Sequence, residues 1–235
     1  MKQEQLDKLL SEHKSWFDDK SKGARLKLIG VDLREANLVG GGLYDAYLED
    51  VDFTGANLRG ALFLRAELKN IRFCGADMTA VDFTNATLRD VDFSGANLTE
   101  GQLASIRAYD CKFNVARMNK AFLVKANLDA VSMKGASLRE AECRRLYLSP
   151  GSLQQADLYK ADFSYALLDN VDLREANLAE TIFFHTRMGP IHIHGIKGIP
   201  AQIGHCGIEN IDFSEAGDGS DIRSEGFFDH LRVNN

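Results

Sequence analysis

Four histidines near the end of the chain have the type and spacing for metal chemistry: His185, His192, His194 and His205. His192 and His194 flank Ile193, so an extended backbone projects both to one side. His185 and His205 lie twenty residues apart. Imidazoles grouped in this way could hold zinc or nickel. The plainer reading is solvated surface histidines. No carboxylate or thiolate sits at ligand spacing beside them, and Cys206 falls where an inward residue is expected. The expectation is no bound metal and no cofactor.

A second set is acidic. Asp50 and Asp52 flank Val51, Asp90 and Asp92 flank Val91, and Asn170 and Asp172 flank Val171. Glu49, Asp110, Asp129 and Asp169 add to the same set. Brought together by a regular backbone, these carboxylates form a ladder that could imitate a phosphate backbone. Lys69, Arg72, Arg89 and Lys112 interrupt it. The competing reading is local: an Asp at such a position accepts hydrogen bonds from its own turn.

No nucleophile–base set, glycine-rich phosphate loop or metalloprotease motif appears, so an enzyme is not expected. The cysteines Cys74, Cys111, Cys143 and Cys206 match neither a zinc ribbon nor a disulfide framework and read as reduced thiols. The net charge of −6 and pI of about 5.5 argue against binding nucleic acid through a basic surface. No run approaches the ~18 apolar residues of a membrane span. The opening Met1-Lys2-Gln3-Glu4-Gln5 carries no apolar leader, so a cytoplasmic protein is expected.

What must position these residues is a five-residue period. Large apolar centres run Leu28, Leu33, Leu38, Leu43, Leu48, Phe53, Leu58, Phe63 and onward, with few breaks, to Phe183 and Met188. A small or β-branched residue sits two places before each centre. A helix would spread a period of five around its whole surface, and a flat strand alternates with period two. An inward pair followed by a corner in every unit makes a solenoid, with coils ~4.8 Å apart. Steps of twenty sort the small positions. One column reads Val31, Val51, Ile71, Val91, Cys111, Val131; the next reads Ala36, Ala56, Ala76, Ala96, Ala116, Ala136. Four units therefore make one turn of a four-sided coil. Gly55, Gly75, Gly95 and Gly135 fall on corners, where a turn needs positive φ.

On that geometry three outward apolar pairs share one side: Leu62 with Leu64, Phe122 with Val124, and Ile182 with Phe184. Strand alternation predicts that they are exposed, and a patch there would suit a protein partner, although polar coils (Asp82 with Thr84, Glu142 with Arg144) separate the pairs.

Units such as Ala36-Asn37-Leu38, Ala96-Asn97-Leu98 and Ala156-Asp157-Leu158 resemble the pentapeptide-repeat proteins over about residues 26–188. The resemblance implies an all-β fold, a right-handed quadrilateral β-helix. It also implies an alternative role, a DNA mimic that binds a type II topoisomerase (gyrase) and modulates quinolone sensitivity. Against that role, no loop is inserted within residues 28–188.

The expected organisation is a capping helix over residues 1–24, the β-helix over 25–188, a distorted final coil or coils over 189–216, and a linker with a C-terminal helix, cap or tail over 217–235. In the first segment Leu6, Leu9, Leu10, His13 and Phe17 share a helical face. Residues 221–233 could cap the last coil or pair two subunits as a homodimer. The functional expectation is a non-catalytic scaffold that presents a rigid rod to a protein partner, with no direct nucleic-acid or membrane binding.

Overall fold

The computed structural model of the protein describes residues 1–204, 206–208 and 211–212. Among these residues it is a parallel β-solenoid with one helix, Gln3–Asp18, at its start. A ten-stranded parallel ladder runs up one side, from Lys27–Ile29 through Tyr47–Glu49 and Glu67–Lys69 to Gly207–Ile208. The next side carries a five-stranded ladder from Val131–Ser132 to Ile211–Asp212. The other two sides are joined by single bridges, Asn37 to Asn57 to Asp77 and Gly42 to Leu62 to Asp82. Each of these pairings spans twenty residues, so the circuit closes after four pentapeptides. The expected C-terminal helix or cap, and the dimer contact proposed for residues 221–233, lie outside the described residues.

Burial alternates as the repeat dictates. Every large centre from Leu28 to Met188 is at most 2% exposed, and so are the alanines and valines two places before them from Ala46 onward. The phenylalanines stack from coil to coil: Phe53 on Phe73 at 5.0 Å, Phe73 on Phe93 at 5.1 Å, Phe93 on Phe113 at 4.5 Å. Burying each such centre is worth about 1.5–3 kcal/mol. The small column tolerates a hydroxyl where it finds an acceptor. Thr181 Oγ1 donates to the Leu158 carbonyl at 2.9 Å and Thr186 Oγ1 to that of Phe163 at 2.7 Å, both fully buried.

The corners go further than the glycines predict. From Gly30 to His185 every fifth residue except Pro150 has φ between +52° and +69°. Most of these residues are not glycine. Glu35, Arg65, Lys120, Val115 and Tyr165 all adopt a conformation that costs an L-residue roughly 1–2 kcal/mol. Three corners of each regular coil are held there by a four-residue turn, as in the bond from Ala36 N to the Leu33 carbonyl (3.1 Å). The fourth corner, at Asp50, Asn70, Asp90 and Asp110, is a bend without that bond. Its amides pair only with the next coil, as Asp50 N does with Lys69 O at 3.1 Å.

The helix closes the first coil. Its Leu, Gln, Lys and Glu residues favour helix, and Leu6 is fully buried, with Leu9 and Leu10 packed on the core. In later coils the outward backbone groups pair with the coil beneath. Here the helix supplies those partners. The Met1 amine donates to the Asp32 carbonyl at 2.8 Å. The Gln3 carboxamide both donates to Asn37 O (3.0 Å) and accepts from Asn37 N (3.3 Å). His13 reaches the Tyr44 carbonyl at 2.7 Å.

Candidate functional site

The acidic residues assemble as a strip along the open corner. Asp50, Asp90 and Asp110 are corner residues, and Asp52 and Asp92 alternate with Arg72 and Lys112 in the ladder beside them. The surface between the two columns is concave. Asn70, Arg72, Asp90, Asp92, Asp110 and Lys112 line a groove of about 530 Å³. A smaller groove of about 220 Å³ continues it past Asp50 and Asp52.

The strip is partly neutralised from within. Lys69 pairs with Glu49 at 2.6 Å and Arg72 reaches Asp52 at 3.8 Å. Lys69, and then the Tyr47 hydroxyl, hold the Glu49 carboxyl below its usual range. Burial works against ionisation of Asp52. The Thr54 hydroxyl and amide, at 2.6 and 2.9 Å, with Arg72 behind them, outweigh it and hold that carboxyl low. Asp92 likewise accepts the Ser94 amide at 2.9 Å. The local turn reading therefore accounts for Asp52 and Asp92. Asp90 and Asp110 stand apart: among the described residues neither forms an ion pair, and both face the groove.

The apolar pairs do share one side, in the columns linked by the bridges from Gly42 to Leu62, Asp82, Gln102, Phe122, Glu142, Asp162 and Ile182. The expectation that they are exposed is corrected. Leu62, Leu64, Phe122, Val124, Ile182 and Phe184 are all half-buried. Coils only ~4.8 Å apart let each outward side chain lean on those above and below it. The side that results carries three apolar pairs separated by polar coils, among them Asp82 with Thr84 and Glu142 with Arg144.

Tyr165 was missed as part of this side. It is 52% exposed, and its ring stacks on His185 at 5.1 Å. Phe184 meets His185 edge-on at 4.3 Å, which makes a three-ring cluster beside Ile182. The signal was present, since Tyr165 and His185 occupy the same corner twenty residues apart. Corner residues fall outside the alternation that picks out the neighbours of each centre.

Three of the four histidines lie among the described residues. His185 belongs to the aromatic cluster. His192 and His194 flank the buried Ile193 and project to one side, as expected. The expectation that no carboxylate adjoins them is corrected, because Asp172 pairs in register with His192. Asp172 is already engaged. Burial opposes its ionisation, but Arg174, at 3.0 and 2.8 Å, holds the carboxyl low. His205 lies outside the described residues. Among the described residues no three histidine, cysteine or acidic side chains gather as a metal site.

The thiols are unsuited to nucleophilic work. Burial pushes Cys111 up to about 12 and raises Cys143 further. No helix among the described residues is long and apolar enough to cross a membrane.

Family models described as "Pentapeptide repeat region" match residues 26–103 and 46–123, and one described as "Pentapeptide repeats (8 copies)" matches residues 152–188. Among solved structures, trypsin-treated QnrB1, described as a plasmid-mediated fluoroquinolone resistance protein, is 15% identical. The match covers 90% of this chain and 98% of that one, with a TM-score of 0.54, which shows a shared fold. HetL, a pentapeptide repeat protein involved in heterocyst differentiation regulation in the cyanobacterium Nostoc sp. strain PCC 7120, is 22% identical over 78% of this chain and 87% of that one, with a TM-score of 0.25. A pentapeptide repeat protein of the Arabidopsis thaliana thylakoid lumen is 24% identical over 61% and 89%, with a TM-score of 0.24. No curated protein sequence matches the chain.

Proposed function

This chain belongs to the pentapeptide-repeat family, and from that premise we propose that it is a non-catalytic scaffold whose rod binds a protein partner through the side that carries its outward apolar pairs. One observation carries the reading. The half-buried apolar pairs at 62/64, 122/124 and 182/184 recur every three coils on a single side, with Tyr165 exposed beside the last of them. None of these side chains belongs to the buried core. Apolar pairs set among polar coils and bordered by charged corners such as Arg65 and Lys125 have the mixed make-up of a non-obligate interface. The test is capture from lysate of the source cell. Wild-type protein is expected to retain a partner that the double variant Leu64→Glu/Val124→Glu loses at least tenfold, with the thermal melt unchanged. Equal retention by both proteins, or none by either, removes the reading.

The groove at Asp90 and Asp110 favours a second reading, a DNA mimic that engages a type II topoisomerase. QnrB1, the neighbour of similar fold, is described as a fluoroquinolone resistance protein. Along this rod, carboxylates in successive coils stand ~4.8 Å apart, against ~3.4 Å between phosphates on one DNA strand. The match is coarse, and Arg72 and Lys112 break it. A supercoiling assay with purified gyrase is expected to show inhibition that Asp90→Asn/Asp110→Asn relieves. No inhibition at micromolar protein eliminates this role.

A further inference from the structure

We propose that His13 is a pH-sensitive latch that holds the N-terminal helix on the first coil and releases it on acidification. His13 is fully buried between the helix, the segment that follows it and the first coil. Both ring nitrogens are committed. Nδ1 lies 2.9 Å from the Leu26 amide and can only accept from it. The ring proton therefore sits on Nε2, which donates to the Tyr44 carbonyl at 2.7 Å. A second proton has to go to Nδ1, where it points at the Leu26 N–H. The bond from the Leu26 amide is lost, and the Ala24 carbonyl beside the ring does not make up for it, since the docked imidazole stays depressed.

The surroundings set the balance. Burial pushes the imidazole below its ordinary value of 6.5, against the pull of the Tyr44 and Ala24 carbonyls toward the cation. From the turn after the helix, the Lys20 ammonium adds to the depression and lies over the Trp16 ring, 3.2 Å from the centroid. Trp16 itself stacks on His13 at 5.5 Å. From the first coil, Asp45 favours the cation. That carboxylate is held at 2.8 and 2.9 Å by both arms of Arg65, and Arg25 binds the Asp45 carbonyl.

The sign follows from which state takes the proton. Above pH 6.5 the ring is neutral whether the helix is docked or not, and docking is at full strength. Below 6.5 the undocked ring gains a proton that the docked ring refuses. The ratio of undocked to docked helix then rises as much as tenfold per pH unit, until the docked ring itself titrates. Release uncovers the Leu6 contact and the edge groups of Asp32 and Asn37. An open ladder edge of this kind invites another chain to add to it.

The test uses the full chain. Hydrogen exchange is followed at the Leu26 amide from pH 7.5 to 5 and corrected for intrinsic exchange. Protection is expected to fall several-fold per unit below 6.5, while the amides of Phe73 and Phe93 keep theirs. Trp16, the single tryptophan, should change its emission over the same window. His13→Gln supplies a carboxamide able to accept from Leu26 and donate to Tyr44 without titrating, and is expected to flatten the profile. Constant Leu26 protection in wild type overturns the latch, and so does an equal loss in His13→Gln. Should the variant fail to dock at neutral pH, the His13 ring protons of the wild type decide. An apparent pKa at or above 6.5 in the docked protein sinks the proposal.

Discussion

Phe73→Ala is expected to lower the unfolding free energy by about 3–5 kcal/mol. Phe73 is fully buried and lies between Phe53 at 5.0 Å and Phe93 at 5.1 Å. It also meets Phe63 and Phe83 edge-on at 5.9 and 6.1 Å. The loss has two sources, the transfer energy of the ring and the cavity it leaves. Relaxation cannot fill that cavity. The backbone on both sides is pinned, by the bond from Phe73 N to Asp92 O at 2.7 Å and by the turn from Ala76 N to Phe73 O at 3.0 Å. Stability in a solenoid is close to a sum of neighbouring coil contacts, so one void weakens the contacts of its own coil with those on either side. Urea unfolding followed by far-UV circular dichroism measures it. A loss below about 1.5 kcal/mol, the usual cost of a volume-conserving swap, would mean that the coils close over the gap.

Lys120→Pro is expected to cost at least ~3 kcal/mol although its side chain is exposed. Residue 120 is a corner with φ of +56°, and its amide donates to the Arg139 carbonyl at 2.8 Å. Proline fixes φ near −65° and has no N–H, so both the turn and one rung of the ladder fail together. Glycine at the same place meets the conformational demand without strain and is expected to stay within ~1 kcal/mol of wild type. The contrast separates backbone geometry from loss of the lysine. Thermal melts of the two variants check it; equal destabilisation would assign the effect to the side chain. The natural prolines obey the same rule. Pro150 and Pro190 occupy the corner that lacks the turn bond. At Pro200 the regular turn has already given way, and Ala201 N bonds instead to Thr181 O at 2.9 Å.

The coil was legible in the sequence because inward positions carry their signal in residue type. Val31, Val51, Ile71 and Val91 differ from Ala36, Ala56, Ala76 and Ala96, and that difference alone sets the circuit at twenty. The corners were legible only in part. Gly55 and Gly75 announce positive φ, but Glu35, Lys120 and Val115 adopt it without any mark in their chemistry. There the turn hydrogen bond and the ladder dictate the backbone, and the residue complies. The surface was least legible. Whether Leu62 or Phe122 is exposed depends on side chains twenty residues away on either side. The concavity at Asp90 and Asp110 brings together residues twenty apart, such as Asn70, Asp90 and Asp110. His13 was read as one member of an apolar helical face. Its two polar contacts, to Tyr44 and Leu26, come from parts of the chain that the helical period does not connect.

The constancy of the twenty-residue register bears on how such a molecule changes over generations. Deleting one pentapeptide leaves the inward pattern intact, since every unit offers the same small and large pair, yet it carries all later outward columns round by a quarter turn. Deleting four shortens the molecule by one coil, about 4.8 Å, and returns every column to its place. Small in-frame losses and duplications thus move surface residues between sides in discrete steps with little damage to the interior. The faces presented to other molecules can diverge quickly on a core that hardly varies.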